Sequence, residues 1–280
     1  MEFAFSEARP RITRFECREA QRSGNQLTLH YAALAGGDEL YAFAERIEIP
    51  GELPDSPVTA GLVRLLTLAA SLSYYKAFAP VAFAVPGGMT ATERRFIAEL
   101  IAGGLGEFAI VNDLPAALEP EIDAPELPEV PTGSAGSVPG RALVAVGGGK
   151  DSIVSIEALK AASVDVTAFG INPRGPIERT AEVAGLDLAR ATRRIDQSLL
   201  ALNAEGAPNG HVPVTAINSL IALLTALATG HDTVVFSNEA SASYGNQHWA
   251  GRDINHQWSK SSFFEGLLRD SVPAGSPEYV

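Results

Sequence analysis

An apolar run from Ala142 to Val146 passes straight into three consecutive glycines, Gly147-Gly148-Gly149, and then into Lys150-Asp151-Ser152 at the head of a helical pattern. A strand, a glycine turn and a helix in immediate succession leave backbone N–H groups uncovered at a helix N-terminus. There the helix dipole and the free donors favour an anion. Such a unit needs further parallel strands beside it, and the following segments supply them. Ile153 to Ala162 reads as a helix, Val164 to Phe169 as a strand, Ile177 to Ala184 as a helix closed by Gly185, and Ile195 to Leu202 as a short helix. Ile217, Leu220, Ile221, Leu224 and Leu227 make one helical stripe, and Thr233 to Phe236 is a further strand. The alternation predicts an α/β fold: an open parallel sheet with helices on both faces and its ligand beyond the carboxyl ends of the strands.

The first half reads differently. Gln26 to Tyr31 and Leu40 to Ile49 are strand-like, the second ended by Pro50 and Gly51. Val63, Leu66, Leu68, Ala70, Leu72 and Tyr75 mark a helix, Val81 to Val85 a short strand, and Thr90 to Leu105 another helix. This predicts a small α+β domain over 1–114. Its patches Ser73-Tyr74-Tyr75-Lys76 and Gly104-Leu105-Gly106-Glu107-Phe108 read as core packing ahead of substrate contact. Pro115, Pro120, Pro125, Pro128, Pro131 and Pro139, followed by or flanking Gly133-Ser134-Ala135-Gly136-Ser137, mark 115–140 as a linker that carries neither helix nor sheet. The glycine-loop domain then occupies 141–280.

Charge divides at the same place. Residues 1–140 hold 10 basic and 19 acidic side chains and 141–280 hold 11 and 14, so most of the net −12 sits in the first half. A chain this acidic repels a nucleic-acid backbone, while its nearly neutral second half suits an anionic ligand. The single cysteine, Cys17, excludes an intrachain disulfide and a CxxC site, and reads as an incidental or buried thiol in a reducing, cytoplasmic setting. The N-terminal Met1 to Glu7 lacks the basic and apolar regions of an export signal. Val212 to Gly230, nineteen residues without a charge, reads as a buried helix rather than a membrane span.

Two familiar phosphate loops fail residue by residue. A Walker A loop needs Ser or Thr where Asp151 stands. The dinucleotide fingerprint needs Gly where Ser152 stands, and an acid where Gly170-Ile171-Asn172-Pro173 follows the second strand. What remains is a loop of amides and a hydroxyl for phosphate oxygens, a lysine in a chain with four Lys against seventeen Arg, and a hard carboxylate suited to Mg²⁺.

A second constellation follows the last strand. Ser237 to Lys260 packs Asn238, Glu239, Ser241, Ser243, Tyr244, Asn246, Asn255, His256, Gln257, Trp258 and Lys260 into one segment at the expected active edge. Gly210-His211-Val212-Pro213-Val214-Thr215 precedes the long helix, where His211 either faces a nucleotide or caps that helix.

The loop resembles the pyrophosphate (PP) loop of the N-type ATP pyrophosphatases, usually Ser-Gly-Gly-x-Asp-Ser, with Gly147 in place of the first Ser. The resemblance implies that Gly147, Gly148, Gly149, Lys150, Asp151 and Ser152 hold the phosphates of ATP, with Asp151 in the Mg²⁺ shell and Ile171 and Asn172 presenting backbone to the adenine. Gly-Gly-Gly-Lys-Asp-Ser, Gly-His-Val-Pro-Val-Thr, Ser-Asn-Glu-x-Ser-Ala-Ser and Asn-His-Gln-x-Ser-Lys, after Ser-Tyr-Tyr-Lys and Gly-Leu-Gly-Glu-Phe, are together similar to the UDP-N-acetylmuramoyl-L-alanyl-L-glutamate epimerase family. That family uses ATP and Mg²⁺ to invert the terminal L-Glu of a cell-wall precursor after a companion ligase has added it. The resemblance implies acid–base roles among Lys260, His256, His211, Glu239 and Tyr244, and substrate contacts from Asn238, Ser241, Asn246, Asn255 and Gln257. It departs at Ala240, where a charged residue is expected, and at Val280, beyond which family members continue. Another adenylating enzyme with this loop, an amidoligase or a tRNA-modifying enzyme, and a nucleotide-binding protein without turnover are the competing expectations.

Overall fold

The computed structural model describes residues 5–133, 140–245 and 247–280. The first half runs α1 (Phe5–Ala8), β1 (Arg14–Cys17), β2 (Gln21–Ser23), β3 (Gln26–Ala35), β4 (Asp38–Glu48), α2 (Pro57–Phe78), β5 (Ala82–Ala84), α3 (Ala91–Gly104), α4 (Gly106–Asn112) and β6 (Glu121–Asp123). The second runs β7 (Arg141–Ala145), α5 (Lys150–Ala161), β8 (Asp165–Ile171), α6 (Pro176–Ala184), β9 (Leu188–Arg194), α7 (Gln197–Ala204), α8 (Val214–Thr229), β10 (Thr233–Val235), β11 (Gln247–Trp249), β12 (Arg252–Ile254), α9 (Ser262–Ser271) and β13 (Glu278–Tyr279).

The predicted α/β alternation is present. Strands β13, β10, β7, β8 and β9 lie side by side and all parallel. Chain order reverses between β7 and β10, so the ligand crevice of such a sheet falls beyond the ends of these two strands. Helices α5 and α6 cover one face through Ile156 and Ala181, which meet Val144, Val166 and Ala168. Helices α8 and α9 cover the other, where Leu220, Leu224 and Phe264 join a core with Leu143 and Phe169.

That second core extends into the first half, taking in Phe15, Tyr31, Tyr74, Phe83 and Phe108. The sheet is continuous too. Strand β9 pairs antiparallel with β4, and the order runs on through β3, β1, β5 and β6 as one mixed eleven-stranded sheet, with β2 on the side of β3. At this seam Arg193 Nε donates to Glu45 Oε1 at 2.6 Å, in a pair whose carboxylate is fully buried, and the same guanidinium donates to Ser73 Oγ at 3.1 Å.

The proline-rich segment is built into this sheet, contrary to the expectation that it carries no regular structure. Pro115–Leu118 is a 3₁₀ turn and β6 is an edge strand parallel to β5. Pro120 and Pro125 stand outside its three residues, and an edge strand pairs on one side only, so no ladder bond is lost to the prolines. Further on, Gly133 N donates to Val272 O and Ala274 N to Pro131 O, tying this segment to the end of α9. Residues 134–139 of the expected linker lie outside the described residues.

The buried helix expected within Val212 to Gly230 is α8, Val214–Thr229. Among the described residues the helix long and apolar enough to cross a membrane is instead α2, of 22 residues. Ser56 caps it by accepting from Thr59 N at 3.1 Å, Pro57 opens it, and Ala79 in a left-handed conformation ends it. It packs against α8, and its apolar residues are the centre of the shared core.

Candidate functional site

A cavity of about 410 Å³ opens at the crevice between β7 and β10. The glycine loop supplies Gly147, Gly149, Asp151 and Ser152, the end of β8 supplies Ile171, the segment after β10 supplies Ser237 and Asn238, and Lys260 joins the lining from the 3₁₀ turn Trp258–Lys260. Ile177 and Phe236 add apolar wall, and Thr215 and Asn218 enter from the first turns of α8. The volume is in the range of small-molecule sites.

The loop has this shape for local reasons. Gly148 adopts φ +79°, and a Cβ there would fall 2.7 Å from Pro176 Cβ, so glycine is required twice over. Gly147 and Gly149 face open space. Gly149 is the N-cap of α5 with no side chain capping it, and Ser152 Oγ donates back to the Gly149 carbonyl at 3.1 Å. The N-terminus of α5 thus presents free amides, which favours phosphate.

His211 stands in the electrostatic field of this site. Partial burial lowers its pKa below the usual imidazole value; His256 and Lys260 push the same way and Glu107 opposes them. It does not cap α8, whose N-cap is Pro213. The segment before it is anchored from the first half: Lys76, 5% exposed, donates from Nζ to Asn209 Oδ1, which also accepts from Gly210 N at 2.9 Å. Burial lowers the Lys76 ammonium to about 8. A second anchor is the glycine-rich junction between α3 and α4. Added Cβ atoms would overlap the Trp258 ring at Gly103, Pro213 at Gly104 and Ile254 at Gly106. Three missing side chains therefore let the loops bearing His211 and Lys260 lie against the first half.

The chain matches the family described as MurL N-terminal domain over residues 4–277. It belongs to that family. It is similar to three proteins named UDP-N-acetyl-alpha-D-muramoyl-L-alanyl-L-glutamate epimerase. The Micromonospora sp. protein is 46% identical over 86% of this chain and 55% of its own length, and that of Salinispora tropica 44% identical over 86% and 54%. The Xanthomonas oryzae pv. oryzae protein is 42% identical over 88% of this chain and 54% of its own. The chain thus spans about half the length of the curated relatives it matches. No solved structure matches it.

In this MurL N-terminal domain the expected residues divide. Gly147, Gly149, Asp151, Ser152, Ile171, Asn238 and Lys260 share the cavity lining. Gly148 shapes the turn from behind, and Lys150 is exposed at the helix start, outside the lining. Asn172 turns away: at φ +47° its side chain donates to Arg193 O at 2.8 Å and accepts from Arg193 N at 3.2 Å. Glu239 and Ser241 are exposed and bonded to each other, and Tyr244 is 76% exposed. Asn255 orders its own loop, donating to Ala242 O and accepting from Gln257 N, while Gln257 O accepts from Lys260 N at 2.7 Å. His256 is exposed beside His211 in charge, and Asn246 lies outside the described residues.

Thr215, Ser237 and Glu107 stand inside strings that the sequence reading singled out but were assigned no site role, and Asn218 stands in the uncharged run Val212 to Gly230, where only its polarity marks it. Among the described residues no group of three or more His, Cys, Asp or Glu gathers for a metal. Asp151 is the one carboxylate among the described residues of the cavity lining, which fits a Mg²⁺ that takes one protein carboxylate and completes its shell with phosphate and water. A second cavity, about 450 Å³ in the first half, holds none of these residues. Its Arg18, Arg22 and Arg64 already face Glu16, Asp55 and Glu93. Cys17 at its floor is buried, which pushes the thiol up to about 12 and makes it a poor nucleophile.

Proposed function

We propose that this chain carries the nucleotide-binding and proton-transfer site of an ATP-dependent epimerase, an isomerase that inverts the terminal L-Glu of a UDP-muramoyl-L-Ala-L-Glu precursor in the cytoplasm. The observation that carries the reading is the meeting of Lys260 with Gly147, Gly149, Asp151 and Ser152 in one cavity, in a chain 42–46% identical to proteins named for that reaction.

Inversion of a free amino-acid carboxylate would place a carbanion beside an existing negative charge. Joining the carboxylate to the α-phosphate of ATP, with release of pyrophosphate, removes that charge and lets the new one spread as an enolate. The glycine-loop amides and Ser152 would hold the phosphates, Asp151 would hold a Mg²⁺ that offsets their charge, and Ile171 and Phe236 would pack the base. Lys260, in the cavity lining, takes the α-proton, His211, outside the lining but within its electrostatic reach, returns one with His256 adjoining, and water then releases AMP and the D-Glu product. A companion ligase that adds L-Glu supplies the substrate.

The test is incubation of this chain, and of a chain with the full length of its relatives, with ATP, Mg²⁺ and UDP-muramoyl-L-Ala-L-Glu in D₂O. The expected products are AMP, pyrophosphate and D-Glu peptide labelled at Cα. AMP without inversion would replace the epimerase by a ligase, and inverted product without deuterium would remove the proton-transfer step.

A further inference from the structure

Strand β9 carries three arginines in seven residues, and only one of them has a buried task. Ala191 is buried and Arg193 turns to the same inner face to meet Glu45, so Arg190, Thr192 and Arg194 lie on the opposite face. Strand β4 sets Arg46 directly across from Arg194, and β3 sets Thr28 across from Arg46. The loop after β8 adds Arg174. Two shallow cavities meet here. One, of about 470 Å³, is lined by Arg174, Arg190 and Arg194; the other, of about 210 Å³, by Thr28, Arg46 and Arg194, and Thr192 is common to both.

This arrangement is costly without a ligand. Like charges directly opposed across an antiparallel pair repel. In a chain with 33 acids, Arg46, Arg174 and Arg194 form no direct ion pair among the described residues, although the charge of Arg46 helps hold the Asp196 carboxyl below its usual range and Glu48 also lines the smaller cavity; Arg190 meets exposed Glu178 at 3.2 Å. Glu48, on the same face of β4 and opposite Thr192, likewise forms none. The loop bearing Arg174 is held rather than loose, because Asn172 bonds both backbone groups of Arg193. Asn172 also lines the larger arginine cavity, while its neighbour Ile171 lines the glycine-loop cavity, so the two sites abut.

We propose that Arg46, Arg174, Arg190 and Arg194 form a docking subsite for the diphosphate of a nucleotide-linked substrate whose other end reaches the glycine-loop cavity. Guanidinium forks converging from two strands and a loop match the geometry of a diphosphate, and hydroxyls from Thr28 and Thr192 complete a polar floor. The identity of the substrate rests on the proposed function; the diphosphate chemistry rests on the arginines.

ATP offers the same phosphate chemistry, so calorimetric titration of the whole chain uses UDP and Mg-ATP as separate probes. Wild-type protein binds UDP, more weakly as salt rises, and R46A, R194A and the loop variant R174A each weaken UDP about tenfold while leaving ATP within about twofold. D151N does the reverse. Thermal melting of each variant checks the fold, and R174A lies outside the sheet if the strand variants lose it. Absence of UDP binding by the wild type, UDP affinity unmoved by R174A and the strand variants, or an equal loss for ATP overturns the subsite. Retained UDP selectivity without any epimerised product would sink the proposed function and leave the subsite standing.

Discussion

Asp151 and Lys260 are the only formal charges among the described residues of the glycine-loop cavity lining, and they sit on elements that the sequence separates by more than one hundred residues. Asp151→Asn keeps the shape and removes the charge. The expected outcome is loss of ATP-dependent pyrophosphate release by more than a hundredfold, with a thermal midpoint within a few degrees of wild type, because a half-exposed surface substitution costs about 0.5 kcal/mol or less. Unchanged release would remove the loop assignment. Lys76 makes a different prediction. Its pKa is about 8 in the folded chain and near the ordinary lysine value when unfolded, so between these the unfolded chain binds more protons and stability rises with pH. Urea unfolding at pH 7.5 and 9.5 should show that rise in wild type and a flatter profile in Lys76→Met. The glycine loop was legible in the sequence because its chemistry lies in six adjacent residues. The task of Lys76 was not, because its partner Asn209 is 133 positions away.

Helix α3 shows how an element at a distance from the chemistry positions it. Its start is held by a reciprocal cap: Thr90 Oγ1 accepts from Glu93 N at 3.1 Å and Glu93 Oε2 from Thr90 N at 3.0 Å. Its end is a glycine surface on which Trp258 lies, two residues before Lys260. Thr90→Ala should cost about 1 kcal/mol of stability and leave turnover per folded molecule unchanged. Gly103→Ala should do the opposite in proportion. It displaces the Trp258 ring, costs about 1–3 kcal/mol, and lowers turnover by tenfold or more through Lys260. Equal effects of the two variants on turnover would separate α3 from the site. The sequence marked Gly104-Leu105-Gly106-Glu107-Phe108 as core, and that holds for Leu105 and Phe108, both fully buried. It left unread that the glycines receive loops from the other half and that Glu107 faces His211 in charge.

The whole molecule is organised by the seam between β4 and β9. A continuous sheet and a shared core predict one cooperative unfolding transition for the two halves, seen at the same denaturant concentration by near-ultraviolet and far-ultraviolet circular dichroism. Two separated transitions would contradict it. Arg193→Met leaves the fully buried Glu45 carboxylate without its partner and should cost about 3–5 kcal/mol. Composition suggested two units joined by a proline-rich linker, since charge, strand type and proline content all change near residue 140. Those one-dimensional signals are real, but β6 joins the sheet edge and residues 131–133 bond to the end of α9.

The sequence alone determined the strand–glycine–helix unit, the alternation after it and the periodic helices, because each is decided by the steric and apolar preferences of residues within one or two turns of each other. It also determined family membership through motifs that keep their order along the chain. Tertiary structure decided which motif residues share a cavity, sending Asn172, Glu239 and Tyr244 elsewhere and bringing in Thr215, Asn218 and Ser237. It also decided the role of β9, whose Leu-Ala-Arg-Ala-Thr-Arg-Arg has no apolar alternation to announce a strand. That segment becomes one because β4 and β8 supply its ladder and Glu45, 148 residues before Arg193, supplies the buried charge. Pairings at that separation cannot be read from local preference, since either partner alone is a polar residue with no fixed place.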